Sequence, residues 1–194
     1  MRITGGSARG RRLIAPKAGV ETIRPTCDRV REALFNILGQ RTACSICLDL
    51  FAGTGAIGVE ALSRGAEFVL FIDQSLEAGR LIAANLQTCF QTPRAAFVRL
   101  NLATAPSLSP LRPGLPPGAL VDLVFMDPPY QKKLADRTLA MVEKSGLLAS
   151  EALVLVEEHR NAALPDRVGM LSLTDRRRYG ETGLWIYQRQ TEQH

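Results

Sequence analysis

The run from Leu120 to Met126 constrains this chain more than any other stretch, because only Asp122 interrupts its apolar side chains and Asp127, Pro128, Pro129 and Tyr130 follow at once. Near-continuous apolar character suits a parallel strand covered on both faces better than a surface strand that alternates. The two prolines lack amide hydrogens and fix φ, so the chain must leave the sheet there and hold Asp127 at the strand's carboxyl end. In open α/β sheets the ligand crevice lies outside those ends.

The pattern upstream agrees. Strands are expected at Ile46–Phe51, Phe68–Asp73 and Ala96–Leu100, with helices at Ala56–Arg64 and Leu76–Phe90 between them. Such alternation implies a parallel sheet with right-handed crossovers. Ahead of it, Thr26 is a candidate N-cap for an amphipathic helix at about 27–38, in which Val30, Leu34, Ile37 and Leu38 recur at helical spacing. The first 22 residues, with Gly5, Gly6, Gly10 and Gly19 around short apolar pieces, read as a β-hairpin or arm. After the Pro- and Leu-rich loop Thr104 to Ala119 and the Asp127 strand come a helix at about 132–145, a strand at Ala152–Glu157, and two late segments, Val168–Thr174 and Leu184–Gln188. That last pair flanks Arg176 to Gly180 and reads as an antiparallel hairpin with a basic tip.

Asp127, Pro128, Pro129 and Tyr130 suit a planar amine. The lone pair of an exocyclic amine on a base is delocalised into the ring and attacks poorly. If the Asp127 carboxylate and the Pro128 carbonyl accept its two hydrogens, the lone pair localises towards an electrophile, while Tyr130 stacks on the ring. Read alone, the same four residues also fit a plain strand followed by a turn.

The segment Asp49 to Gly58 supplies the electrophile's site. Gly53, Gly55 and Gly58 match the glycine spacing of a dinucleotide fingerprint, and Asp73 ends the next strand twenty residues after Gly53. A nicotinamide dinucleotide would lay its pyrophosphate against this loop, where Asp49 repels it. Asp49 better suits a cofactor carrying an ammonium and a sulfonium, S-adenosyl-L-methionine. In this reading the Gly53–Gly55 turn admits the cofactor closely, Asp73 accepts the ribose hydroxyls and Asn101 meets the adenine edge. None of the four cysteines falls in the Asp127 loop, which disfavours a cysteine nucleophile.

Charge points to the partner. The chain carries a formal net charge of +5, and Arg2, Arg9, Arg11, Arg12, Lys17, Arg24, Arg29 and Arg31 crowd its first 31 residues. Arginine's planar fork favours phosphates and bases. A solvated basic face is the plainer alternative. Cys44 and Cys47 have no second metal-binding pair, so a buried or semi-buried thiol pair at the mouth of a strand is expected and no metal site. No apolar run reaches membrane-spanning length and the start lacks a secretory core, so the expected location is cytoplasmic.

The order of the motifs, Asp49-Leu-Phe-Ala-Gly-Thr-Gly55 before Asp127-Pro-Pro-Tyr130, resembles the class I amino-methyltransferases. The opening Met1 to Leu13 and the segment Arg24-Pro-Thr-Cys-Asp-Arg-Val-Arg-Glu-Ala-Leu-Phe-Asn-Ile-Leu38 resemble the bacterial RsmD family, and the likeness runs on to Tyr179-Gly-Glu-Thr. The resemblance implies an α/β, class I (Rossmann-like) fold. Its mostly parallel seven-stranded sheet carries helices on both faces, behind an N-terminal β-hairpin extension at residues 1–24, the methyltransferase domain filling 25–194. It implies methylation of the exocyclic N2 amine of one guanine in 16S ribosomal RNA, on the small ribosomal subunit or its assembly precursor, by a monomer. It further implies that Asp127, Pro128 and Tyr130 hold the amine, and that Asp49, Phe51, Ala52, Gly53, Gly55, Asp73, Gln74, Asn101, Leu102 and Thr26 bind the cofactor. Arg9, Arg11, Arg12, Arg24, Arg29 and Pro129 would then meet the RNA. Many class I methyltransferases carry an acidic residue where this chain has Asn101, which leaves the adenine contact to an amide. The alternatives are a DNA adenine or cytosine amino-methyltransferase, for which 194 residues leave little room for a recognition domain, and a non-catalytic RNA-binding or assembly protein.

Overall fold

In the computed structural model, which describes residues 1–16, 28–129 and 134–191, the parallel core forms as the alternation requires. Helix α1 spans Asp28–Leu38, β1 Ile46–Leu50, α2 Ala56–Ser63, β2 Phe68–Asp73, α3 Leu76–Cys89, β3 Ala95–Arg99 and β4 Val121–Met126. Then follow α4 at Leu134–Glu143, β5 at Leu148–His159, β6 at Arg167–Val168, β7 at Leu171–Tyr179 and β8 at Thr182–Arg189. The strands join in one sheet in the order β3-β2-β1-β4-β5-β8-β7-β6. β1 to β5 pair in parallel, and β8, β7 and β6 add antiparallel ladders.

Side-chain alternation along the strands divides the core in two. Cys47, Val69, Phe71, Phe125 and Leu155 pack beneath α1, α2 and α3, whereas Leu48, Leu50, Leu70, Val124, Met126 and Val156 pack towards α4. The one polar residue in the β4 run fastens a neighbouring strand. The Asp122 carboxylate accepts the Ile46 amide at 2.8 Å and secures the start of β1. Ser75 caps α3, its hydroxyl accepting from the Glu77 and Ala78 amides.

Several expectations need correction. The sheet has eight strands where seven were expected, because the two-residue β6 adds an edge to β7. The expected strand at Ala152–Glu157 is longer at both ends. Its start at Leu148 is hidden in the sequence because the register with β4 shifts there and Glu151 takes a positive φ of 63°. Arg176, Arg177 and Arg178 lie within β7, and the turn into β8 is formed by Gly180 and Glu181, so the arginines are not a tip. The loop from Thr104 to Ala119 carries a 3₁₀ helix at Ser109–Gly114 and buries Leu108, Leu111 and Leu115 against the sheet.

The described part of the N-terminal segment folds back on itself around the antiparallel bridge Arg2 to Arg12, with Leu13 donating to the Met1 carbonyl, Ile3 to that of Arg11 and Gly10 to that of Ile3. Other backbone groups of the segment turn to helix side chains. Thr4 and Gly5 donate their amides to Glu60, Ala8 donates to Ser63, and Ile14 donates to Asn85. Ile3, Ala8 and Leu13 join the core beneath them.

Glu60 is the centre of this attachment. Fully buried, it also pairs with the buried Arg31 at 3.3 Å and with Arg64 at 2.8 Å. Burial pushes its carboxyl up, but the Thr4 amide and hydroxyl, Arg64 and Arg31 outweigh burial and hold it below its ordinary value. Its contribution to stability is therefore present above the ordinary glutamate range and lost as pH falls through the lowered value. Glu60→Gln should cost about 3–5 kcal/mol in urea unfolding at neutral pH, since it removes the buried charge facing Arg31 and Arg64 and leaves the buried Arg31 guanidinium to the exposed Asp28 carboxylate. A loss under about 1 kcal/mol would mean the pair is dispensable.

Candidate active site

The strand order places the site. β1 has β2 on one side and β4 on the other, so the connections leaving these strands diverge and open a crevice at the carboxyl edge between them. Asp49 lies one residue before the end of β1, and Asp127 directly follows β4. The Asp127 amide donates to the Leu50 carbonyl at 3.4 Å, which ties the second loop to the first. Asp127 is half-buried, Pro128 buried and Pro129 exposed. Tyr130, Thr26 and Arg24 lie outside the described residues.

The loop after β1 is built for close approach. Phe51 takes a positive φ of 64°, and the Ala52 amide donates to the Ile72 carbonyl at 2.9 Å. The Gly53 amide donates to one Asp73 oxygen at 3.0 Å, while the other Asp73 oxygen accepts the Ser75 amide at 2.8 Å. Asp73 thus braces both loops, one oxygen to each. Gly55 sits at φ 74°, where a Cβ would come within 2.8 Å of Ile82. At Gly58 a Cβ would lie 2.2 Å from the Phe71 ring, inside the core. Gly58→Ala should therefore cost about 1–3 kcal/mol by forcing α2 away from β2, measured as a lower denaturation midpoint with an unchanged slope; an unaltered midpoint would contradict this packing.

Asp49 is turned inward. One of its oxygens accepts the Gly58 amide at 2.9 Å, at the start of α2, and the residue is buried. Burial pushes its carboxyl up to about 8, against the pull of the Gly58 amide, and the nearby Asp127 and Asp73 carboxylates push it the same way. Three acids crowding one crevice make a place where a cation is welcome and a pyrophosphate is not. The donor set thus fits a sulfonium and ammonium cofactor.

Gln74 and Asn101 are exposed at the ends of β2 and β3. The side-chain carbonyl oxygen of Asn101 accepts the Ala103 amide at 3.0 Å. The Leu102 side chain is sunk in the core, so only its backbone is available.

The arginines do not form one surface. Arg29 is exposed in the first turn of α1. Arg9 and Arg12 are exposed further along the N-terminal segment, and Arg11 donates to the Thr88 carbonyl near the carboxyl end of α3, away from the crevice. Arg31 is withdrawn altogether into the Glu60 pair.

Asn85 was not expected to matter. Fully buried on α3, it accepts from the Ile14 amide and donates to the Thr54 and Ile14 carbonyls, linking the N-terminal segment to the glycine loop. The only signal for it was a polar side chain beside Leu81, Ile82 and Leu86 on the apolar stripe of α3. An open cleft lined by Phe68, Arg94, Ala95 and Leu115 lies at the opposite, amino-terminal edge of the strands and shares nothing with this site. Among the described residues no acid, cysteine and histidine cluster suited to a metal ion is formed, and no helix is long and apolar enough to cross a membrane.

The chain is similar to known proteins over its whole length. The Ribosomal RNA small subunit methyltransferase D of Escherichia coli strain K12 is 36% identical over 192 residues, 99% of this chain and 91% of that one. The solved structure of Escherichia coli yhhF superposes with a TM-score of 0.82 at 34% identity and covers 98% of both chains. An RNA methyltransferase from Salinibacter ruber, solved in complex with S-adenosyl-L-homocysteine, matches at a TM-score of 0.62 and 13% identity over 88% of this chain and 97% of that one, a likeness of fold. A family model described as Conserved hypothetical protein 95 matches residues 1–188, and the chain belongs to that family.

Proposed function

We propose that this protein transfers a methyl group from S-adenosyl-L-methionine to the exocyclic N2 amine of a guanine in 16S ribosomal RNA, in the small ribosomal subunit or its assembly precursor. The observation that carries the proposal is the convergence of Asp49 and Asp127 on one crevice at the reversal of strand order. The Escherichia coli relative, named as a ribosomal RNA small subunit methyltransferase, supports the RNA.

Bound S-adenosyl-L-methionine would supply a methyl carbon on a sulfonium and leave as the neutral thioether, its sulfur keeping the electron pair of the broken bond. Asp49 and the glycine loop hold the cationic end, Asp73 the ribose and Asn101 the adenine edge. Asp127 and the Pro128 carbonyl accept the two amine hydrogens, so the nitrogen lone pair points at the methyl carbon and forms the new bond. The nitrogen then carries a positive charge beside Asp127, which takes the surplus proton and passes it to solvent. Orientation and charge stabilisation provide the rate enhancement, with no covalent enzyme intermediate. Tyr130 would stack on the base, and the target nucleotide must be unpaired or flipped out to reach this crevice. Arg9, Arg11, Arg12, Arg24, Arg29 and Pro129 would contact the RNA, those on the N-terminal segment at a distance from the target base.

Incubation with labelled cofactor and three acceptors tests this: unmodified small-subunit particles, naked 16S RNA and duplex DNA. Label in the particles is expected. Label in DNA alone would replace the RNA reading with the DNA one, and absence of label in all three would favour a non-catalytic assembly role.

A further inference from the structure

We infer that Glu157 selects guanine, accepting the ring N1–H beside the amine that Asp127 grips; the inference rests on the guanine reading above. Nothing in Asp127, Pro128, Pro129 and Tyr130 distinguishes guanine from adenine or cytosine, since all three bases carry an exocyclic amine. The discriminating feature is the neighbouring ring nitrogen, which donates a hydrogen in guanine and offers a lone pair in adenine and cytosine. An enzyme that takes guanine needs a pure acceptor next to its amine grip.

The sheet puts a carboxylate there. Along β5, Leu153 and Leu155 belong to the core beneath α1 to α3, while Val154 and Val156 belong to the opposite one. Glu157 therefore points to the α1–α3 side, and its partner across the ladder, Leu184, lies in that same core. Phe125 on β4 is on this side too, and Met126 on the other, so Asp127 follows on the side of Glu157. Met126 pairs with Val156 in parallel register, which sets Asp127 level with Glu157 on adjacent strands about 4.8 Å apart. Asp49, opposite Phe125 on β1, lies on the same side of the sheet, two residues behind the level of Asp127 and Glu157. With the cofactor over β1 and the amine at Asp127, the base extends over β5.

Glu157 is 7% exposed, so a contact with the base would be made at the margin of the core and out of bulk water. An ionised carboxylate only accepts, so it matches an N1–H and opposes a ring lone pair. Sites built on such a contact reject analogues lacking the donor by large factors, because the acceptor is left facing an acceptor.

The test uses 2-aminopurine, which keeps the amine at position 2 but has an acceptor at N1. Small-subunit particles are reconstituted with 16S RNA bearing either guanine or 2-aminopurine at the methylated position, located beforehand by mass spectrometry. The native protein should prefer guanine by at least about 10²-fold in kcat/KM. Glu157→Gln, whose amide can turn to donate, should lose about 10²-fold on guanine and shrink the preference to within about tenfold, with cofactor affinity by calorimetry unchanged. Equal use of both bases by the native protein overturns the inference, even if the variant fails to fold. A variant that keeps the native preference overturns it as well, assigning the discrimination to the oxygen that 2-aminopurine also lacks. No transfer to the guanine particle by the native protein would instead remove the guanine reading itself.

Discussion

Asp127→Ala is expected to lower kcat for methyl transfer by on the order of 10³-fold while cofactor affinity and thermal melting stay near native values. The carboxylate is asked to do two things that alanine cannot. It accepts an amine hydrogen as the nitrogen rehybridises, and it offsets the positive charge that the nitrogen carries before losing its proton. Both interactions strengthen between ground state and transition state, so the loss falls on kcat more than on KM. The fold should survive, because Asp127 lies just past β4 and the core beneath it is closed by Phe125 and Met126. Single-turnover transfer to unmodified small-subunit particles measures the effect. A variant within about tenfold of the native rate would mean that orientation by other groups suffices, and that Asp127 is not the amine's acceptor.

The second large effect is expected at Asp49. Its carboxyl is pushed up to about 8 by burial and by Asp127 and Asp73, so at pH 7 the site holds a proton that a cationic cofactor must displace. Calorimetry in two buffers of different ionisation enthalpy should show close to one proton released per cofactor bound at pH 7. Asp49→Asn should bind roughly 10- to 100-fold more weakly and release none. Stability should move the other way. The folded-state value lies above the ordinary aspartate value, so the native fold loses stability as pH rises from about 4 towards 8. The asparagine variant escapes that loss and should melt higher than the native protein at pH 8 without cofactor, a stability gain joined to a functional loss. Proton release by the variant equal to that of the native protein would assign the titration to another group.

Much of this was legible in the sequence because the parallel strands are buried on both faces. A run such as Val121 to Met126 has no amphipathic ambiguity, and the glycines and prolines that end the strands state where the chain turns. The position of Asp49 and Asp127 at one crevice followed from those ends plus the alternation of strand and helix. What escaped depended on partners distant in sequence. The N-terminal segment carries the glycine-broken pattern of a hairpin and pairs Ile3 with Gly10 and Arg11, but what fastens it to the domain is a set of hydrogen bonds to Glu60, Ser63 and Asn85 on helices 55 to 71 residues away. Arg31 counted towards a basic surface until Glu60 took it into the core. The bond from the Gly58 amide to one Asp49 oxygen was likewise not legible, since it joins β1 to α2 through the glycine loop. Glu157 ends an apolar run like any strand-end acid, and only the register of β4 on β5 sets it level with Asp127.

Mass spectrometry of 16S RNA nucleosides tests the central claim most directly, comparing a strain lacking this gene with the same strain carrying the native gene or Asp127→Ala. The account predicts that one N2-methylguanosine is missing without the gene, returns with the native protein and stays absent with the variant. Unchanged N2-methylguanosine in all three strains, or its return with Asp127→Ala, would contradict it.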